Sequence, residues 1–90
     1  MIVKITNYGQ GDENFVEYLV SDLSREQIAF LNENLVEKTE IIENNLLITM
    51  YFADELYPFQ SEVAKFRLDD FISREEIEMN VFLSSFLDDM

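Results

Sequence analysis

The chain has 90 residues and a formal charge of −13, from 19 Asp and Glu against 6 Lys and Arg, with no His, no Cys and no Trp. At 48% hydrophobic and 13% aromatic it is too apolar for a disordered acidic tail, and its length allows one core but not two. Without cysteine there are no disulfides, thiolate zinc sites or iron–sulfur clusters, and without histidine the commonest general base and metal ligand is missing.

The stretch Met1–Tyr8 alternates apolar and polar residues and holds no apolar run of signal-peptide length. No window approaches the ~20 apolar residues of a membrane span, so a cytoplasmic protein is expected. Nothing resembles a linker, and residues 1–90 are expected to form a single domain.

Ile2–Asn7 reads as a first strand, with Val3 and Ile5 facing one way and Lys4 and Thr6 the other. Gly9-Gln10-Gly11-Asp12 breaks the pattern and marks a turn. Phe15–Ser21 follows as a second strand, joined to the first as an antiparallel hairpin. Helix one is expected to begin at Ser24, whose hydroxyl caps the first turn while Gln27 returns a bond. Ile28, Leu31 and Leu35 give its apolar stripe.

Asn44-Asn45 separates the short apolar run Ile41-Ile42 from Leu46–Ala53 and predicts a turn between a short strand and a long one. Pro58 places Asp54–Phe59 in a loop. Val63–Asp69 alternates like a further half-buried strand. Ser73 with Glu76 repeats the cap pattern, predicting helix two to about Leu87 with Ile77, Val81, Phe82 and Phe86 on its core face. The segments Asp22–Ile28 and Asp70–Ile77 echo each other, which two independent capping boxes explain as well as a duplication. The expected fold is α+β: a mostly antiparallel sheet of four to five strands with two helices, in the order ββαβ(β)βα.

Catalytic and cofactor chemistry finds little support. Asp54-Glu55 and Asp69-Asp70 lack calcium-loop spacing, and adjacent carboxylates on a strand point to opposite faces, so no metal is expected. Gly9 and Gly11 are not followed by the remaining glycine of a dinucleotide site, and no phosphate loop occurs, so no cofactor is expected. The charge repels nucleic acid and anionic membranes alike. A non-enzymatic interaction domain is the expectation.

The acidic residues carry that expectation. On helix one Glu26, Glu33 and Glu37 fall on one ridge, continued by Glu40 and Glu43. Asp69, Asp70, Glu75 and Glu76 form a second acidic group around the second cap. Carboxylates spaced along a rigid element resemble a run of phosphates to a basic groove. The plainer reading is a solvated face with acids at helix N-termini, but the charge lies beyond the magnitude of ~2–8 that solubility requires. Tyr57 and Phe59, with Tyr51 and Phe52, are candidate interface anchors; alternatively Phe52 and Phe59 close the core while Tyr51 lies on the open sheet face.

In size, charge and lack of catalytic residues the chain resembles small acidic inhibitors encoded by phages and mobile elements, such as anti-restriction, anti-CRISPR and uracil-DNA glycosylase inhibitor proteins. The resemblance rests on no motif and transfers no residue role. It implies a DNA-mimicking surface whose partner is a basic nucleic-acid-binding protein such as an effector nuclease. Two other readings stand beside it: an immunity protein or antitoxin against a basic nuclease toxin, and a structural or regulatory homodimer through Phe82 and Phe86 of helix two.

Overall fold

In the computed structural model, which describes residues 1–9, 14–53, 56–60 and 67–90, two antiparallel hairpins share one sheet. Strands β1 (Ile2–Gly9) and β2 (Asn14–Ser21) are followed by helix α1 (Arg25–Asn34), then β3 (Lys38–Ile42) and β4 (Asn45–Phe52), a 3₁₀ turn (Pro58–Gln60) and helix α2 (Leu68–Leu87). The strand order is β1-β2-β4-β3 with every neighbour antiparallel. The α+β class, the antiparallel sheet and the two helices are as the patterning predicts. The turn at 10–12 and the Asp54-Glu55 pair lie outside the described residues.

Both helices pack on the same face of the sheet. Val16, Tyr18 and Val20 of β2 and Leu46 and Ile48 of β4 are buried against Ile28 and Leu31 of α1 and Phe71, Met79 and Leu83 of α2. A two-residue period therefore divides every strand into a core face and an open face. On β1 the division holds for Val3 and Ile5 and then shifts: the register slips between Ile5 and Asn7, so that Ile5 faces Tyr18 but Asn7 faces Glu17. The extra residue, Thr6, is a β-bulge. Past it Tyr8 points to the core side, where its ring stacks on Phe59 at 4.1 Å between centroids.

Helix α1 starts as predicted. Gln27 N–H donates to Ser24 Oγ (3.1 Å) and Ser24 N–H donates to Gln27 Oε1 (2.9 Å), a complete capping box. The helix is shorter than the Glu26–Glu37 ridge requires, because Leu35 is already extended (ψ 138°). Asn32 and Asn34 close the segment: Asn34 Nδ2 donates to Phe30 O (2.8 Å), and Asn32 Oδ1 accepts from Thr39 Oγ1 (2.8 Å) on β3. Such local side-chain bonds compete with helix continuation. The β3–β4 turn puts Glu43, with φ 56°, in the left-handed position beside Asn44.

Helix α2 departs from expectation in start and phase. It begins at Leu68, so Leu68 and Asp69, expected at the end of a strand, are helical, and 63–66 of that expected strand lie outside the described residues. Arg67 makes no side-chain cap bond, and Asp69 and Asp70 in the first turn supply negative charge at the dipole's positive end instead. Ser73 is therefore an exposed interior residue rather than a cap. The buried stripe is Phe71, Met79 and Leu83, while Ile77, Val81 and Phe82 are exposed by 64%, 62% and 43%. Two apolar stripes compete on this helix, and the early anchor at Phe71 selects the one that continues through Met79 and Leu83.

The two serines give a contrast measurable by urea unfolding. Ser24→Ala should cost about 1 kcal/mol through the lost cap, whereas Ser73→Ala should stay within about 0.5 kcal/mol. Leu31→Ala, at a fully buried position, should cost about 2–5 kcal/mol.

Candidate functional site

The predicted acidic residues are distributed over four different environments. Glu26 and Glu33 are exposed on α1, and Asp69 and Asp70 are exposed on the first turn of α2. Glu40 stands elsewhere, on the open sheet face opposite Leu47. Glu76 is turned towards β1, where its Oε2 accepts the Ile5 N–H at 2.8 Å. With Asn80 Nδ2 donating to Met1 O (3.3 Å), this bond closes part of the outer edge of β1.

Glu37 and Glu75 are brought together. The chain turns out of the helix at Leu35, so Glu37 sits in the link to β3 rather than on the α1 ridge. With Glu75, Glu78 and Tyr18 it lines a cavity of about 220 Å³ between the sheet and α2, walled by Met50, Phe52, Met79 and Phe82. Tyr18 is 2% exposed. Burial and then the nearby carboxylates of Glu75 and Glu78 push its phenol up. Burial likewise raises the Glu75 carboxyl above the usual carboxylate range, with Glu78 adding to the shift and Arg74 opposing it. Glu37 Oε2 is buried and has no hydrogen-bond partner among the described residues. Among the described residues no three acidic groups converge closely enough to hold a metal ion.

Tyr57 and Phe59 are core residues, 3% and 9% exposed. Phe59 meets Phe71 edge-on (5.2 Å) and Tyr57 at 5.9 Å, while Tyr57 tilts against Phe52 at 6.1 Å. Burial and the neighbouring Tyr8 raise the Tyr57 phenol. Tyr51, 51% exposed, lies on the open sheet face. The core alternative weighed for this loop is thus the arrangement present. On α2 Phe86 is half-buried, its ring 5.8 Å from Phe30, and Phe82 is the more accessible of the pair.

Compensation of the charge is sparse. Among the described residues the one ion pair joins the N-terminal ammonium to Asp22 at 3.7 Å. Neither helix has a basic residue in its last turn. Glu33 lies in that turn of α1, and Asp88 caps α2 with Asp89 beyond it. Carboxylates there oppose the helix dipole.

The fold and surface define an acidic α+β domain with its helices on one side of a four-stranded antiparallel sheet. The chain belongs to a family of unknown function, DUF5750, which it matches over residues 2–89. No curated protein matches it. No helix among the described residues is long and apolar enough to cross a membrane.

Because the Glu75 carboxyl titrates higher in the folded protein than in the unfolded chain, its charged form opposes folding. Glu75→Gln should therefore stabilise the protein at pH 7. The gain should fade as pH falls through the raised folded-state value and vanish below the ordinary carboxylate range, where both states hold the proton. Paired urea titrations of the two proteins across pH 3.5–7.5 measure this difference.

Proposed function

We propose that the protein is a small acidic binding domain that inhibits a basic nucleic-acid-binding protein by occupying its nucleic-acid site. The observation that carries this reading is the placement of unpaired carboxylates where the fold gains nothing from them. Glu26, Asp69 and Asp70 have a local reason in the helix dipole and Glu76 has one in the β1 edge. Glu33, Asp88 and Asp89 oppose that dipole, and no cation of the described chain neutralises them. Negative charge held on rigid helices, against local stability, serves an external positive surface.

The acidic helical surface, with Glu26 and Glu33 on α1 and Asp69 and Asp70 on α2, makes the contact. The partner is an effector nuclease or a protein of similar charge in the cytoplasm, as in anti-CRISPR or anti-restriction action by a phage-encoded protein. The protein binds and does not catalyse, and it contacts neither nucleic acid nor membrane itself. An immunity protein or antitoxin against a basic nuclease toxin would use the same surface, and the identity of the partner separates the two.

Affinity capture from the source cell's extract at low and high salt, with mass spectrometry, tests this. A basic nucleic-acid-binding protein should be retained at low salt and displaced by added DNA. The Glu26→Gln, Glu33→Gln double variant should keep the fold, weaken capture and flatten its salt dependence. Capture indifferent to salt, DNA and these substitutions would overturn the reading.

A further inference from the structure

We propose that the cavity between β2, β4 and α2 is a binding site for an organic monocation on an apolar stem, an alkylammonium or guanidinium group. Glu37 Oε2 is sealed from solvent with no hydrogen-bond partner among the described residues. Tyr18, 2% exposed, lines the same cavity with a hydroxyl that has no hydrogen bond within the described protein. A buried carboxylate oxygen without a partner carries a desolvation cost, and a cation in the cavity relieves it once the Glu37 side chain turns that oxygen towards it.

The walls specify the rest of the ligand. Met50, Phe52, Met79 and Phe82 offer thioethers and ring faces, which favour a methylene stem and a cation over an aromatic ring. The carboxylates do not converge as metal ligands, which points away from an inorganic ion. At about 220 Å³ the cavity is smaller than the ~300–1,000 Å³ of drug-sized sites, and suits one side chain or a slender amine. A free polyamine and a lysine or arginine of another protein share this chemistry. The site is separate from the exposed carboxylates of α1 and does not depend on the function proposed above.

NMR titration of the full chain with spermidine, and separately with the blocked amino acids N-acetyl-lysine methylamide and N-acetyl-arginine methylamide, tests the site. Saturable shifts are expected at the Met50 and Met79 methyls and the Tyr18 ring. Glu37→Gln should weaken binding roughly tenfold or more, as expected for losing a charge-assisted bond, and Glu26→Gln with Glu33→Gln should leave it unchanged. A preference for spermidine assigns a free amine, and a preference for a blocked amino acid assigns a protein side chain. Shifts that spread over the acidic surface without saturating, or that survive Glu37→Gln in a folded variant, overturn the proposal. Tyr18→Phe supplies the same reading if Glu37→Gln does not fold.

A second observation, the register of the open sheet face, carries an independent proposal. In register across this face stand Lys4, Leu19, Leu47 and Glu40, with Phe15 opposite Tyr51. Its charges are Lys4 and Lys38 against Glu17 and Glu40, so this face of a −13 molecule is balanced. We infer that it docks a second copy of the chain, about a two-fold axis parallel to the strands between β2 and β4. That axis lays β1 over the partner's β3 and β2 over the partner's β4. Leu19 then meets Leu47 of the partner subunit, Phe15 meets Tyr51 of the partner subunit, and Lys4 meets Glu40 of the partner subunit.

Packed sheets usually cross at roughly 30°, which keeps the central pair opposed and moves the edge pairs by a distance a lysine spans. The face measures roughly 19 by 26 Å from ordinary strand spacings, so two copies bury about 1,000 Å², the lower end for a specific and exchanging dimer. The exposed stripe of α2, Ile77, Val81 and Phe82, is flanked by Glu78, Asp88 and Asp89 and would set like charges against each other.

Sedimentation equilibrium from micromolar to millimolar concentration tests the dimer. Apparent mass should rise with concentration, and more strongly at high salt, which screens the repulsion between copies. Lys4→Glu should abolish the rise, and adding Glu40→Lys should restore it. Within one chain Lys4 and Glu40 lie three strands, roughly 14 Å, apart, so restoration reports contact between copies. A monomer throughout, insensitivity to Lys4→Glu, or failure of the double variant to restore association overturns the arrangement. Dilution-dependent shifts at Leu19 and Leu47 in the unmodified protein give the same answer if a variant misfolds.

Discussion

One-sided burial is the constraint on which the remaining structure depends. Two helices of 10 and 20 residues cover one face of the four-stranded sheet, and every strand must place its apolar parity on that side. On β2 this selects Asn14, Val16, Tyr18 and Val20 for the interior. The selection brings a phenol into the core together with the valines, and it leaves Phe15 and Leu19 outside. The bulge at Thr6 is the local exception, shifting β1 by one residue so that Tyr8 reaches Phe59. Without that shift Tyr8 would join the open face, and the aromatic cluster around Tyr57, Phe59 and Phe71 would lose its outer ring.

The same constraint sorts the charge. Among the described residues the core face excludes carboxylates except at its rim, where Glu37 and Glu75 border the cavity beside Tyr18. The open face carries lysines that balance its acids. Most of the remaining negative charge of the described residues falls on the helices and the turns beside them. Where an acid caps an edge, as Glu76 does for Ile5 N–H, the fold uses it. At the C-terminal ends of both helices the fold works against the acids it carries, and they raise a self-repulsion that the described cations do little to relieve.

Much of this was legible in the residues, and the failures have physical causes. Alternation located β1, because a half-buried strand must alternate, Asn44-Asn45 between two apolar runs located the β3–β4 turn, and Ser24 with Gln27 located the start of α1, because capping is local chemistry. Ser73 with Glu76 shows the limit of that reasoning: the same pattern lies inside a helix, and tertiary contact redirects Glu76 to another strand. The phase of α2 was ambiguous because Ile77, Val81 and Phe82 are as apolar as Phe71, Met79 and Leu83, and only packing against the sheet chooses between them. The cavity was not legible at all. Tyr18, Glu37 and Glu75 are far apart in the chain, and Glu37 reaches the cavity only because α1 stops at Asn34. The hint available was Asn32 and Asn34, poor helix formers just ahead of a glutamate assigned to the helix.

The division of surfaces has a consequence for how salt acts on the molecule. The proposed attraction between the acidic helices and a basic partner would weaken as ions screen it, whereas the proposed association of two like-charged copies through a balanced face would strengthen under the same screening. The open face and the exposed carboxylates of the helical layer point in opposite directions, since both helices lie behind the sheet. A pair joined by its sheets would thus present two acidic helical surfaces outward and could engage a basic partner at each end. Pairing also places both sets of charge in one particle, which raises the field felt by an approaching cationic surface. Of these two proposed interactions one is opposed by the net charge and the other depends on it, and the parity of the sheet places them on separate surfaces.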